Sequence, residues 1–292
     1  MTFNAQFNVT NAQFMLEEAP KNFDWVRFDS NNNCNLHCVY CHNRRSDELM
    51  ETEVLTKFME SNVLSMGNFQ IGCVMEPTLD KRMVEFIEIA GSSLSRPTDC
   101  LMLQTNGVLL HTHDWDRIRE AGLTHLSVSI DTAREDTFKR LRGGAKLSKI
   151  LRNLENFLQV CPDVFVQFVS TVNSANVDEM AELVQVGMKL GAQKFIMREM
   201  FFDPSNEIVN HEDMRQLVLP QGRFAKMAKK LKRKFGKKVE LSFMASESVV
   251  DYTEAVRDVS FPTTHPRTLI QLEKPASEKE GFFESVLSFF KV

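Results

Sequence analysis

The sequence predicts an α/β fold built on a parallel sheet, and three observations carry that expectation. Short apolar segments alternate with longer stretches whose apolar residues recur at helical spacing. Gly122 and Gly191 stand where helical patterns end and apolar segments resume, the position of helix-stop glycines. Strand–helix units repeated in series imply parallel strands joined by right-handed crossovers.

The strand candidates are Trp25–Asp29, Phe69–Met75, Cys100–Thr105, His125–Asp131, Val164–Thr171 and Lys194–Glu199. Helical stretches lie at Glu51–Met66, Lys81–Ala90, Ile150–Val160 and Val177–Leu190. Asn176 and Asp213 read as N-caps, because a short polar side chain can accept a bond from the first free N–H groups of a helix. This pattern fits an open doubly wound sheet and a complete or partial barrel equally well. In a barrel, function gathers on the loops that follow the strands, and every motif below falls at or just after a strand end. Beyond Phe201 come a polar loop (203–212), a basic helical stretch and a strand near Val239–Phe243. An extended cover, Phe261–Glu280, and a short amphipathic tail, Gly281–Val292, follow. The expected division is an N-terminal extension (1–23), a core (24–200) and a C-terminal extension (201–292).

Composition narrows the class. With 292 residues, 43% hydrophobic and 25% charged, the chain has the make-up of a soluble globular protein. A net charge of −4 gives no general attraction to nucleic acid or anionic membrane. The first residues lack a basic start followed by an apolar run, so no secretory signal is expected. No apolar run approaches the roughly 18 residues of a membrane span, and a cytoplasmic location is expected.

Three of the six cysteines crowd into one loop, while Cys73, Cys100 and Cys161 lie apart beside apolar segments. In a reducing compartment, closely spaced cysteines point to metal ligation rather than disulfides. The loop reads Cys34-Asn-Leu-His-Cys38-Val-Tyr-Cys41. Three thiolates can hold three irons of a [4Fe–4S] cubane and leave the fourth iron open to a small chelating ligand. The competing reading is a structural zinc site completed by His37 or His42. Zinc ligands usually come as two separated pairs, and no second pair is present.

The C-x3-C-x2-C loop, with Tyr40 before its last cysteine, resembles the signature of the radical S-adenosylmethionine (SAM) superfamily. The resemblance implies a partial (β/α)6 barrel with parallel strands, here followed by the short C-terminal extension. It implies a cluster on Cys34, Cys38 and Cys41, with SAM chelating the open iron through its methionine amine and carboxylate. One-electron reduction would then release a 5′-deoxyadenosyl radical that abstracts hydrogen from a substrate.

Later motifs extend the resemblance. Gly72-Cys-Val-Met-Glu76-Pro77 is similar to the family's Gly-Gly-Glu-Pro, with Val74 and Met75 replacing the glycine pair. There Glu76 or nearby backbone would receive the SAM amino group. Gln104-Thr105-Asn106-Gly107 resembles the Thr-Asn-Gly of the molybdenum-cofactor and peptide-modifying branches, which makes Thr105 a site candidate. In Leu126-Ser-Val-Ser129-Ile-Asp131, Ser129 matches the serine that contacts the SAM carboxylate, and Asp131 either shares its face or caps the next helix. In Phe138-Lys-Arg-Leu-Arg142-Gly-Gly144, Arg142 rather than Arg140 is expected against the SAM carboxylate, since a planar fork engages carboxylate bidentately. The expected SAM-binding set is therefore Tyr40, Glu76, Thr105, Ser129 and Arg142.

With no cysteine after Cys161, one cluster is expected, which favours rearrangement, epimerisation or SAM-consuming chemistry over dehydrogenation. Cys73 is the candidate thiol hydrogen donor. The first expected substrate is a small or sugar-like metabolite, the second a peptide, with Gln167, Arg198 and Glu199 lining the pocket. The basic stretch Arg223–Lys238 suits a flavodoxin- or ferredoxin-type electron donor, an anionic substrate, or simply a solvated outer helix. A zinc-stabilised nucleic-acid-binding module is the alternative of another class. Thin aromatic interleaving argues against nucleic acid, with Phe224 and Phe235 reading as core.

Overall fold

The computed structural model describes residues 3–8, 12, 16, 23–62, 67–93, 100–202 and 207–246. Eight strands form one sheet: β1 (Phe3–Asn8), β2 (Phe23–Asp29), β3 (Asn68–Ile71), β4 (Cys100–Thr105), β5 (His125–Ser129), β6 (Phe165–Val172), β7 (Lys194–Glu199) and β8 (Glu240–Met244). All seven pairings are parallel, and spatial order follows chain order. Helices fill the crossovers: α1 (Thr52–Asn62), α2 (Met83–Ser93), α3 (Trp115–Glu120), α4 (Glu135–Arg142), α5 (Leu147–Val160), α6 (Met180–Lys189), α7 (His211–Leu217) and α8 (Arg223–Phe235). A doubly wound sheet reverses its strand order at a switch point. Among the described residues this one does not, and β1 and β8 do not pair, so the α/β fold is a partial barrel.

Strand alternation separates two faces. On β2, Val26 and Phe28 enter the main core, together with Phe69 and Ile71 of β3, Leu126 and Val128 of β5, and Val166 and Phe168 of β6. Leu55, Phe58, Phe86, Ile87, Leu154, Phe157 and Leu183 cover that layer from the helices. Each such side chain contributes about 1.5–3 kcal/mol when fully buried. The opposite face carries a small apolar floor of Trp25, Cys100 and Met102. Above it the concave surface is polar. Gln70 Nε2 meets Gln104 Oε1 at 3.3 Å, and Gln167 Nε2 donates to Ser127 Oγ at 3.0 Å. Fully buried Lys194 reaches Glu240 on the neighbouring strand at 2.6 Å.

The six expected strands are β2 to β7, and the sheet gains a strand at each edge. β8 matches the one expected near Val239–Phe243. β1 lies in the segment expected as an extension, where Phe3-Asn-Ala-Gln-Phe-Asn8 has no β-branched residue to signal a strand. The strand expected to reach Met75 stops at Ile71, because Gly72 turns with φ 78° and the next N–H groups leave the ladder. The short helices α3 and α4 went unread. The cap of α7 is Asn210, whose side chain accepts from Glu212 N and Asp213 N, not Asp213. Asn176 instead donates to the Asp131 and Thr171 carbonyls. α8 turns Phe224, Met227, Leu231 and Phe235 inward, and its basic residues are largely exposed. The expected cover 261–280 and tail 281–292 lie outside the described residues, as do 63–66 of the first expected helix. Among the described residues no helix is long and apolar enough to cross a membrane.

Candidate active site

The cysteine loop leaves the C-terminal end of β2 and is held by backbone groups far along the chain. Glu76 N donates to Asn33 O at 3.0 Å, and Asn31 Nδ2 donates to Glu76 O at 3.1 Å. Val39 N donates to Leu141 O at 3.0 Å, which ties the loop to the end of α4. Gly143 follows with φ 70°, and a Cβ there would stand 2.7 Å from the His37 carbonyl oxygen. Between these anchors the Cys41 N–H closes a turn onto Cys38 O at 3.0 Å, and Arg45 Nη1 holds Cys34 O at 3.1 Å.

All three thiols are half-buried, and each has a side-chain N–H donor. Asn106 Nδ2 lies 3.9 Å from Cys34 Sγ, Arg142 Nη1 lies 3.9 Å from Cys38 Sγ, and Asn43 Nδ2 lies 3.7 Å from Cys41 Sγ. Burial raises the pKa of Cys34 and of Cys38, the latter opposed by the Arg142 charge. Among the described residues no three His, Cys, Asp or Glu side chains converge on a point where one ion could bind them all. A cubane gives each thiolate its own iron, so three cysteines need not meet at one ion to hold a cluster. His37, a zinc candidate, is exposed.

Three buried carboxylates organise the rim. Asp29, ending β2, accepts from three successive N–H groups, Cys73 (2.8 Å), Val74 (3.3 Å) and Met75 (3.3 Å). Those contacts shape the turn that Val74 and Met75 occupy in place of glycines. Glu76 Oε1 accepts from Thr78 N (3.1 Å), Thr78 Oγ1 (2.6 Å) and Thr105 Oγ1 (2.6 Å), and Oε2 accepts from Asn106 N (2.7 Å). Four donors nearly exhaust a carboxylate's capacity. Burial raises the Glu76 pKa, with these bonds opposing it.

Asp131, wholly buried, is the third organiser. Arg142 grips it with Nε (2.7 Å) and Nη2 (2.8 Å), Thr171 N donates to it at 2.8 Å, and the Tyr40 hydroxyl donates to its Oδ2. The Arg142 guanidinium also lies over the Tyr40 ring, 5.7 Å from its centre. Burial works against the Arg142 charge, but Asp131, with Tyr40 and Cys38, outweighs it and raises the pKa well above the ordinary value. Burial also raises the Tyr40 phenol well above its usual range.

The structure thus brings Tyr40, Glu76, Thr105 and Arg142 together around the cysteine loop. It commits Arg142 to Asp131, and Asp131 caps no helix. Ser129 ends β5 half-buried, its hydroxyl without a protein partner among the described residues. Cys73 sits on the turn after β3, and burial, with Asp29 next, pushes its thiol up to about 12. Of the pocket candidates, Gln167 is buried against Ser127 with Oε1 unpartnered, Arg198 is exposed, and Glu199 Oε2 accepts from Ser246 N at 3.1 Å. Sequence reasoning missed Asp29, Asn43 and the side chain of Asn106. Asn43 lies only two residues from Cys41, whereas the Asp29 and Asn106 side-chain contacts to Cys73 and Cys34 span 44 and 72 residues, and nothing local signals those.

A partial parallel barrel with this rim and cysteine loop defines a class of enzyme. Residues 30–186 match the family model described as the radical SAM superfamily, and the chain belongs to it. Members use SAM and an iron–sulfur cluster, and this chain is a radical SAM enzyme. It is 26% identical over 175 residues to a GTP 3′,8-cyclase of Alkaliphilus oremlandii, covering 58% of this chain and 53% of that protein. It is also 26% identical over 184 residues to a probable GTP 3′,8-cyclase of Methanococcus maripaludis, covering 61% and 58%. The chain thus spans little more than half the length of these curated relatives. Among solved structures, Streptococcus suis SuiB bound to S-adenosylmethionine shares the fold, with a TM-score of 0.60, 12% identity, and coverage of 80% of this chain and 53% of that one. Native anSMEcpe with bound AdoMet and a Cp18Cys peptide aligns with a TM-score of 0.58, 18% identity, and coverage of 80% and 65%. Family membership removes the zinc-module alternative.

Proposed function

We propose that this chain binds one [4Fe–4S] cluster through Cys34, Cys38 and Cys41 and reductively cleaves SAM. When bound, SAM would supply a 5′-deoxyadenosyl radical able to take hydrogen from a small-molecule or sugar-like metabolite. The observation that carries the reading is the cysteine loop at the barrel mouth, with a separate N–H donor beside each thiol. When bound, the reduced cluster would supply the electron that splits SAM. The chain's own residues hold and orient. Ser129, with an unclaimed hydroxyl, suits the SAM carboxylate. Glu76 and Thr105 act together by fixing the 73–76 turn, whose backbone would receive the SAM ammonium. Tyr40 and Arg142, locked on Asp131, hold the cysteine loop against α4. Cys73 keeps its hydrogen through neutral pH, as a thiol hydrogen donor must.

A metabolite substrate is supported by the concave polar face, with Gln70, Gln104, Gln167 and Arg198, and by relatives named for a nucleotide. A peptide substrate is the second reading, favoured by the fold shared with a peptide-bound neighbour. A cytoplasmic setting and a flavodoxin- or ferredoxin-type electron donor complete the proposal. The test is anaerobic reconstitution followed by SAM and dithionite. Release of 5′-deoxyadenosine is expected, and Cys34→Ala, Cys38→Ala or Cys41→Ala should abolish it and bleach the chromophore. A colourless chain carrying stoichiometric zinc after reconstitution with iron and sulfide sinks the proposal. Deuterium transfer into 5′-deoxyadenosine from labelled nucleotides or peptides separates the two substrate readings.

A further inference from the structure

We infer that Asn43, Asn106 and Arg142 are positioning residues that set the reduction potential of the cluster, one N–H donor to each cysteine sulfur. The inference rests on the cluster site proposed above. The three donors come from unrelated places: Asn43 from the cysteine loop, Asn106 from the end of β4, and Arg142 from the last turn of α4. Each reaches a different thiol, at 3.7, 3.9 and 3.9 Å.

Two of the three are oriented by bonds that leave no choice of donor. Asn106 Oδ1 accepts from Val108 N at 3.0 Å, which identifies the opposite end of the amide as the nitrogen. That nitrogen donates to Asn35 Oδ1 at 2.7 Å and lies beside Cys34 Sγ. Arg142 spends Nε and Nη2 on Asp131, so Nη1 is the edge presented to Cys38. Rigid donors aimed at cluster sulfurs stabilise the more negative, reduced state and so raise the potential. Arg142 carries a positive charge, and charge-assisted donors are roughly twice as strong as neutral ones. Its effect should be the largest.

The measurement is an EPR-monitored redox titration of the anaerobically reconstituted chain without SAM. At a fixed potential, Asn43→Ala and Asn106→Ala should each lower the ratio of reduced to oxidised cluster about threefold. Arg142→Met, paired with Asp131→Asn so that no buried anion is stranded, should lower it about tenfold, equivalent to about 59 mV for one electron. Arg142→Lys should restore part of the loss. Unmoved potentials in variants that retain their iron overturn the inference. Should a variant fail to take up iron, the wild-type holoprotein decides instead: with 15N-labelled asparagine and arginine, pulsed EPR must detect side-chain nitrogen coupled to the cluster. Absence of that coupling also overturns it. A wild-type chain that never forms a cluster removes the site itself, whereas a loaded cluster indifferent to these residues removes only the tuning.

Discussion

The Asp131 side chain has no solvent contact, and Arg142, paired with it, is only 10% exposed. Breaking a buried ion pair by removing one partner costs about 3–5 kcal/mol, because the survivor is left uncompensated. Arg142→Ala should therefore lower the unfolding free energy of the apo chain by about that amount in urea titrations. Arg142→Met combined with Asp131→Asn should recover most of it. Near-equal stability of the single and double variants would show that a stranded Asp131 is not the cause of the loss. Tyr40 also bonds to Asp131, so Tyr40→Phe should cost a further 1–3 kcal/mol or so by leaving a buried acceptor short of a donor.

The end of α4 is where a local signal and a distant contact meet. Gly143 ends the helix with φ 70°, and a side chain at that position would strike the His37 backbone. Gly143→Ala should thus do more than the ~1–2 kcal/mol of left-handed strain. It should also push the cysteine loop off its anchor, read as a lower iron-to-protein ratio after reconstitution. Normal iron loading in this variant would mean that the loop holds itself. Much of the fold was legible at this scale. β-strands with apolar runs announce themselves, and so do the five longer helices, the basic one included, and the cysteine spacing. α3 and α4 are too short and too charged for periodicity to mark them. The roles of Asp29 and Asn106 were invisible because single polar residues at strand ends are common, and only tertiary closure shows what they bind. Arg142 was expected against a ligand carboxylate, but its partner here is an aspartate eleven positions away, and no sequence pattern distinguishes the two.

Across the whole molecule, the concave face grades from an apolar floor to a polar mouth, and His125 marks the transition. Its Nδ1 lies 2.8 Å from Thr124 Oγ1 and 3.2 Å from Cys100 Sγ, and its ring is tilted against Phe165. Burial first, and then the Lys194 charge, depress its pKa from 6.5 to about 4. The unfolded chain binds this proton more readily, so the stability is complete above pH 6.5 and drains away as pH falls toward 4. By pH 5 the loss attributable to His125 should reach about 2 kcal/mol. Urea unfolding at pH 7 and 5 should show His125→Phe losing less than the wild type over that interval; equal losses would refute the assignment. The contact of Cys38 with Arg142 also bears on how the protein is made. Cys38 meets Arg142 across a separation of 104 residues. At about 5–20 residues per second, a ribosome delivers the thiols roughly 5–20 s before the helix end that braces them. During that interval Cys38 lacks its Arg142 donor, while Cys41 has Asn43 only two residues away. On the proposed cluster site, iron loading would follow closure of this brace, and thiols exposed to oxidants during synthesis would be the hazard.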